Sequence, residues 1–377
     1  MEKATYQRLE SLDVLRGFDL FCLVVLESVL YPLAHAVEAP WFDSFMWGFY
    51  HVKWEGFSSW DLVMPLFMFM AGVSIPFALS RYKAVPAQAA VYRRIAKRVA
   101  LLWIFGMMCQ GNLLALDPDT IYFYSNTLQS IAVGYLVAAL LFLHTRPAVQ
   151  IAVAVVLLGG YWACMQWITV DGFGGGRYTP DGNLAEWIDR TVLGRFRDGA
   201  AVADGHVVFA ASYRYTWILS SLNFAVTVLS GLFAGHILKN KYTPLKKIRL
   251  LLGIGIALAA AGWLWGMQMP VIKKIWTSSM VLVSSGYCFL LMGLFYYWID
   301  YKGRRKHTTW LKIFGMNSIT AYMLANVVNF RCIGESLFFG LQPYLGNYYP
   351  VWIALCNVSV IYVLLRWLYK QHIFLKV

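Results

Sequence analysis

The hydrophobic and polar positions along this chain form a series of long apolar runs separated by short polar connections. An α-helix needs about 20 mainly apolar residues to cross the hydrocarbon core of a bilayer. With helix tilt allowed for, the runs predict spans at 17–36, 61–80, 98–114, 127–144, 147–168, 216–237, 250–268, 278–298, 309–329 and 349–368. A shorter piece at 332–345 is typical of a re-entrant or interfacial segment. The pattern predicts an all-α, polytopic transmembrane helical bundle of about 10 spans (10–11), folded as a single domain over residues 1–377.

Composition is typical of a membrane protein, and the distribution of charge predicts its orientation in the membrane. Of the 377 residues 59% are hydrophobic and 14% charged, against about 25% charged in soluble proteins. The net charge of +13 is concentrated at 81–98, 239–249 and 302–306, whereas connection 115–126 has two aspartates and no Lys or Arg. Basic clusters between spans mark cytoplasmic loops. We therefore expect both termini in the cytoplasm, and no nucleic-acid partner.

The longest connection, residues 169–215, falls on the extracytoplasmic side in this topology. It includes the stretch DGFGGGRYTPDGN, and connections of this length without regular structure are often functional. We expect an ordered but irregular segment that caps an external cleft. The six cysteines are scattered in or beside apolar runs with no CxxC pair, so neither a disulfide framework nor a metal site is predicted.

The first span carries ionisable residues where an apolar segment is expected. Such a group at mid-bilayer costs at least about 2.5–3.5 kcal/mol and normally faces the bundle interior. Arg16 and Glu27 are eleven residues apart, about three helical turns, so an uninterrupted α-helix would place both on one face. This spacing predicts a polar track through the membrane. In the alternative, structural interpretation, Arg16 pairs with Asp13 or Asp19, and Ser11 or Asp13 caps the helix.

His51 stands in the connection before the second span, closely followed by Trp54 and then by Asp61. We interpret its imidazole as a general base or nucleophile at the outer end of the polar track. The alternative is an aromatic belt at the membrane interface with an incidental histidine.

Two later segments also combine polar and apolar residues. Lys273 and Lys274 lie on an outside connection, against the positive-inside bias, and are expected to neutralise an anion. Asn317 and Ser318 lie inside an apolar run, where an amide either bonds a neighbouring helix or contacts a ligand. Both interpretations of the second pair remain open.

Six stretches, in order, resemble conserved blocks of the heparan-α-glucosaminide N-acetyltransferase family and its bacterial members. They run from residue 11 to about residue 325, and each alone is a weak signal. The stretches are SLDVLRGFDLF, HVKWEGFSSWDLVMPLFMFMAGVSI, TLQSIAVGY, ILSSLNFAVTVLSGLFAG, PVIKKIWTSSMV and GMNSI.

The resemblance implies a bacterial inner-membrane enzyme that takes acetyl from cytosolic acetyl-CoA, as a co-substrate, to a glucosamine-type sugar or glycan on the far side. The family's active histidine falls on His51. Its active-site asparagine falls on Glu27, where this chain departs from the family. The candidates for binding substrate or CoA are Arg16, Trp54, Asp61, Gln129, Asn223, Lys273, Lys274, Trp276, Ser278, Asn317 and Ser318.

Other functions remain open at this stage. A transporter or flippase of sugars or lipid-linked glycans would use the buried charges as an ion or proton relay. The same machinery could also O-acylate envelope glycans. The acceptor sugar, the length of the acyl chain, direct against ping-pong transfer, and a homodimer against a monomer are left undecided by the sequence.

Overall fold

Helices make up most of the structure, a computed structural model that describes residues 9–37, 39–83, 89–210 and 215–375. The helices of the first half are α1 Glu10–Leu20, α2 Glu27–Ala36, α3 Pro40–Met46, α4 Val63–Lys83, α5 Ala89–Cys109, α6 Thr127–His144, α7 Pro147–Trp167 and α8 Leu184–Leu193. Those of the second half are α9 Ser220–Lys239, α10 Pro244–Gly266, α11 Ser278–Phe295, α12 Thr309–Met316, α13 Ser318–Val327, α14 Arg331–Phe338, α15 Gln342–Leu345 and α16 Tyr349–Lys370. Four short strands, β1 Thr169–Val170, β2 Phe173–Gly174, β3 Ala200–Ala203 and β4 His206–Phe209, form two antiparallel hairpins.

Eight of the helical stretches in the described residues are long and apolar enough to cross a membrane. The prediction of an all-α, polytopic membrane protein is therefore confirmed. Two of the ten predicted spans are not among the eight. The stretch 98–114 is shortened, because α5 ends at Cys109. The first half of α5 contains the basic sequence VYRRIAKR, which is not apolar enough for a span. The stretch 309–329 is interrupted at Asn317, which separates α12 from α13.

The chain folds into two compact units, and the predicted single domain stays a prediction. The first unit comprises Met1–Phe49, Thr243–Leu252 and Leu290–Lys376, and the second comprises Tyr50–Tyr242 and Gly253–Phe289.

In the first unit, the first helix differs from the expected uninterrupted α-helix. A π-helical turn, Phe21–Leu26, joins α1 to α2. A π-turn contains one extra residue, which rotates everything after it by about 100° relative to an α-helix. Arg16 and Glu27 therefore do not share one face, and the spacing argument for a straight polar track is wrong. The predicted cap is also wrong: the N-cap is Leu9, without a side-chain hydrogen bond, while the Ser11 N–H donates to Asp300 Oδ2 over 3.1 Å.

In the second unit, α4 and α9 pack with their backbones in contact. A Cβ atom on Gly72 would overlap the carbonyl oxygen of Val228, and one on Gly231 would overlap that of Phe69. Small residues at a helix crossing are the usual means of close packing inside a bilayer, where no hydrophobic effect drives helices together. This crossing fixes α4, which begins just after Asp61, against α9.

The connection 169–215 contains regular structure, so the prediction of an irregular segment is wrong. Each hairpin turns at an Asp-Gly pair, and all four turn residues, Asp171, Gly172, Asp204 and Gly205, have positive φ. Asp-Gly is among the strongest sequence signals for such a turn. Between the hairpins α8 begins at the N-cap Asn183, whose side chain accepts the N–H of Glu186. We call residues 169–210 the cap segment.

Candidate active site

His51 and Asp61 lie in a short irregular segment that leads into α4. Ser58 is the N-cap of the 3₁₀ turn that precedes α4, and Asp61 is its third residue, which together form a capping box. Asp61 Oδ2 accepts the backbone N–H of Ser58 over 3.1 Å and lies 3.4 Å from the Val52 nitrogen. The Ser58 hydroxyl in turn donates to the carbonyl of Tyr50 over 2.7 Å. The local sequence therefore fixes the Asp61 carboxylate at the start of the helix.

The other oxygen of this carboxylate orients the imidazole. His51 Nδ1 lies 2.8 Å from Asp61 Oδ1, and because a carboxylate has no proton to give, Nδ1 must carry one. A neutral imidazole protonated on Nδ1 has an unprotonated Nε2. The His51 side chain is 40% exposed and that of Asp61 only 2%. The pair thus presents a ring nitrogen that can accept a proton or attack a carbonyl carbon.

Lys273 completes the group. Its Nζ lies 3.4 Å from Asp61 Oδ1 and 3.2 Å from His51 Nδ1. Because Nδ1 already donates to Asp61, the ammonium pairs with the carboxylate rather than with the ring. The Lys273 side chain is 9% exposed, and an ammonium at such a depth needs a paired anion. The anion that Lys273 was expected to neutralise is, in the structure, Asp61.

Two backbone-anchored contacts hold the surroundings of this group together. We call residues 269–277, between α10 and α11, the lysine loop. The Gly56 N–H donates to the Val271 carbonyl over 2.8 Å, which ties the His51 segment to the lysine loop. The Trp54 indole N–H donates to the Tyr178 carbonyl over 2.8 Å, which ties it to the cap segment. Gly56 has φ of +121°, a conformation that only glycine adopts readily.

The cap segment contains its own buried ion pairs. Glu186 binds Arg190 over 2.7 Å and the fully buried Arg197 over 2.5 Å. Asp189, also fully buried, accepts the backbone N–H groups of Trp217 and Ile218 over 2.7 and 2.9 Å. Burial raises the pKa of Asp189 to about 7, against the lowering effect of these two hydrogen bonds. Its carboxyl group connects α8 to the residues that precede α9.

Several residues that were expected to bind substrate or CoA hydrogen-bond to the protein backbone, and their role in binding substrate or CoA stays a prediction. Gln129 Oε1 accepts the backbone N–H groups of two residues before α6, and its Nε2 donates to the Phe123 carbonyl over 2.7 Å. Ser278 Oγ donates to the Leu158 carbonyl over 2.9 Å. Asn223 Nδ2 donates to the carbonyl of Trp276 over 2.7 Å. The side chain of Lys274, by contrast, lies over the Tyr215 ring at 6.0 Å.

The remaining candidates belong to the first unit. Arg16 is in α1 and Glu27 is the first residue of α2, and both side chains are partly buried. Asn317 Nδ2 lies 3.3 Å from the carbonyl of Ile373, a residue beyond the end of α16, and Ser318 begins α13. That these four side chains take part in the site stays a prediction.

Two residues of the site were missed in the sequence. Ser58 holds Asp61, and its spacing S-x-x-D is a known N-terminal signal that was available. Tyr178 contacts Trp54 through its main chain, for which no sequence signal exists because a carbonyl is common to every residue. Among the residues that the structure describes, no group of three or more His, Cys, Asp or Glu could hold a metal ion.

Comparison with known proteins bears on this group directly. Residues 8–173 match the catalytic family of heparan-alpha-glucosaminide N-acetyltransferase. The resemblance predicted from the six stretches is confirmed. The matched range contains His51, Trp54 and Asp61, whereas Asn223 and Lys273 lie beyond it.

The human heparan-alpha-glucosaminide N-acetyltransferase is similar over a longer range. It is 26% identical over 366 residues, which cover 84% of this chain. The chain spans about half of that curated relative, 52% of its length.

Proposed function

We propose that this protein is an integral-membrane acyltransferase that moves an acetyl group from acetyl-CoA to the amino group of a sugar or glycan. The observation that carries the proposal is the Asp61–His51 pair, in which the carboxylate lies 2.8 Å from Nδ1, so that in the neutral ring Nε2 is the nitrogen without a proton. The same orientation of a histidine by a buried acid serves acyl transfer in unrelated enzymes. The similarity to an N-acetyltransferase of amino sugars supports the choice of substrate class.

The chemistry assigned to the group is an attack on a thioester. In direct transfer the acceptor amine forms the new C–N bond, His51 Nε2 takes the proton that the amine loses, and the C–S bond breaks. The CoA thiolate then leaves and takes that proton from the imidazolium. In ping-pong transfer Nε2 itself attacks the thioester carbon, the C–S bond breaks, and CoA leaves as the thiolate, which gives an acetyl-imidazole. The acceptor amine then attacks this acetyl group, the bond from the acetyl carbon to Nε2 breaks, and the released imidazole takes the proton that the amine loses. Asp61 stabilises the positive ring on either path.

We place the donor on the cytoplasmic side and the acceptor on the other, in a bacterial inner membrane. Between Tyr50 and Tyr242 every Asp and Glu lies in the connections 50–61, 115–126 and 169–215. The densest groups of Lys and Arg lie in the alternate connections at 81–98 and 239–242, which contain no Asp or Glu. Segregation of Lys and Arg of this kind follows the cytoplasmic side of a membrane. His51 is in an acidic connection and so is assigned to the extracytoplasmic end.

Roles for the other predicted residues follow from this assignment. Trp54 is the candidate for contacting the acceptor sugar. It follows His51 by three residues, and its indole N–H donates to the Tyr178 carbonyl of the cap segment. Arg16 and the basic loops are the candidates for the CoA phosphates. Glu27 is proposed as a second acid–base group, at the position of the family's asparagine.

The test is acetyl transfer by the purified protein in nanodiscs. The protein is incubated with radiolabelled acetyl-CoA and a panel of amino sugars, including glucosamine and its oligosaccharides, with the His51→Ala variant as control. We expect label on the sugar amine with the parent and at least about 100-fold less with the variant. Label on sugar hydroxyls would redirect the proposal to O-acylation, and no transfer to any acceptor would contradict it.

A further inference from the structure

The lysine loop is held in place by its own carbonyl groups. The Thr216 N–H donates to the Lys274 carbonyl over 3.0 Å. The hydroxyl groups of Tyr161 and Ser220 donate to the Ile275 carbonyl over 2.5 and 3.1 Å. Three consecutive carbonyls of the loop, those of 274, 275 and 276, are therefore bound by side chains or backbone from outside it.

The contact at the Trp276 carbonyl differs from the other two, because Trp276 has a strained backbone conformation. Trp276 has φ of +51°, a conformation that costs a bulky L-residue roughly 1–3 kcal/mol and persists only when its surroundings enforce it. The Trp276 carbonyl accepts from Asn223 Nδ2 over 2.7 Å, and its indole N–H donates to Thr227 Oγ1 over 3.1 Å. Asn223 and Thr227 are one helical turn apart on α9. One face of α9 thus forms hydrogen bonds with both the main chain and the side chain of Trp276.

Asn223 is itself retained at an energetic cost. It is fully buried in α9, and its Oδ1 atom has no hydrogen-bond partner in the part of the chain that the structure describes. A buried polar atom left unbonded costs about 1–3 kcal/mol. Only the donor half of the amide is used: Nδ2 donates to the Trp276 carbonyl over 2.7 Å and to Ser278 Oγ over 3.3 Å. Both partners are at the end of the lysine loop, and the shorter bond is to a strained residue three positions from Lys273, which points to a positioning role.

We propose that Asn223 is a positioning residue that fixes the lysine loop, so that the Lys273 ammonium stays against Asp61 and His51. The inference rests on the proposed function and deepens it. The charged groups that face His51 are Asp61 from the start of α4 and Lys273 from the lysine loop, while Lys53 and Glu55 share its own segment. Asp61 favours the protonated imidazole and Lys273 opposes it. By holding Lys273 in place, Asn223 keeps the charge of the ammonium beside the imidazole.

The first test measures the rate of acetyl transfer as a function of pH. Lys273→Met removes the cation, and we expect the acid limb of the profile to move to higher pH by about one unit. Asn223→Leu should move it in the same direction by a smaller amount, with the rate recovering at high pH. The isosteric Thr227→Val, which removes the bond to the indole, should give a weaker shift of the same sign. The double variant Asn223→Leu/Lys273→Met should shift no further than Lys273→Met alone.

Ser230→Ala is the matched control. Ser230 is buried on the same helix, two turns from Asn223, but its hydroxyl bonds the Thr227 carbonyl of its own helix over 2.7 Å. Its acid limb should coincide with that of the parent. A rate that falls equally at all pH values in both Asn223→Leu and Thr227→Val, with the limb unmoved, would mean that α9 only supports the fold and would overturn the proposal.

A second measurement does not depend on catalysis. Lysines are acetylated briefly with acetic anhydride, and the labelling of Lys273 is measured by mass spectrometry. We expect slow labelling in the parent and in Ser230→Ala, and several-fold faster labelling in Asn223→Leu as the ammonium leaves its ion pair. Equal labelling of Lys273 in all three proteins would contradict the positioning role. If the parent transfers no acetyl group but the labelling differs as expected, the proposed function fails and the role of Asn223 stands.

Discussion

At the scale of single residues, the structure gives His51 a partner. The sequence had placed this histidine at the outer end of a polar track and had assigned Asp61 to the binding of substrate or CoA. In the structure Asp61 is the side chain bonded to Nδ1. The pairing depends on a ten-residue segment that turns back on itself through Ser58 and Gly56, and no periodic pattern encodes such a turn. The residue types of the site were predictable, whereas the contacts between them were not.

Replacement of His51 tests the chemical role at this scale. His51→Ala should reduce acetyl transfer by a factor of about 10² or more, because the imidazole that takes the proton of the amine is removed. The variant should keep the yield and thermal stability of the parent in detergent, since the side chain is 40% exposed. Transfer rates and unfolding curves measured on the same preparations separate the two effects. Full activity in the variant would assign the role to another side chain.

Glu27 is the residue at which this chain departs from the resembled family, and its role is testable alone. Glu27→Gln keeps the size of the side chain and removes its charge. If the carboxylate takes part in proton transfer, the rate should fall by about 10², with unchanged stability. Glu27→Asn restores the family's residue type, and we expect partial recovery because the side chain is one methylene shorter. If Glu27→Gln transfers acetyl at the rate of the parent, the Glu27 carboxylate takes no part in proton transfer and His51 acts without it.

At the scale of elements, the apolar runs predicted most helices but not their interruptions. Eight stretches of spanning length were recovered because a run of about 20 apolar residues has few alternatives to a membrane helix. The π-turn at Phe21–Leu26 and the break at Asn317 left no mark on hydrophobicity. Both depend on the pattern of backbone hydrogen bonds, which cannot be predicted from the hydrophobicity of the side chains. The hairpins of the cap segment were missed although their two Asp-Gly pairs are a local signal.

The carboxyl of Asp189 gives the cap segment a predictable response to pH. Its pKa of about 7 in the folded protein is above its ordinary value of 3.8, so the folded state binds the proton more tightly than the unfolded state. This contribution to stability is complete below about pH 4, is lost as the pH rises to about 7, and is flat above that. At about 1.4 kcal/mol per pH unit, the loss is of the order of 4 kcal/mol.

Asp189→Asn should flatten this dependence, because an amide does not titrate. Unfolding midpoints measured in detergent between pH 4.5 and 7.5 should fall with pH in the parent and fall less in the variant. Asp171→Asn, an exposed position in the first hairpin turn, is the matched control and should follow the parent. The same slope in all three proteins would show that Asp189 is ionised throughout.

At the scale of the whole molecule, the distribution of charge carries the proposed direction of transfer. A basic chain with +13 net charge could bind any acidic partner, but its densest clusters of Lys and Arg, at 81–98 and 239–249, contain no Asp or Glu and alternate with connections that do. That alternation is expected when successive helices cross a membrane, and it assigns the cap segment and His51 to the same side. The donor and acceptor then approach from opposite sides only if this topology is correct.

Site-directed labelling tests the topology in intact cells. Ala201→Cys places a thiol at an exposed position of the cap segment, and Lys241→Cys places one at an exposed position in a basic connection. Both are made in a background from which the six native cysteines have been removed and in which acetyl transfer is retained. A membrane-impermeant maleimide should label position 201 in intact cells and position 241 only after permeabilisation, because clustered Lys and Arg stay on the cytoplasmic side. The opposite pattern would put His51 on the side of the CoA pool, and transfer would then need no passage of the acetyl group across the membrane.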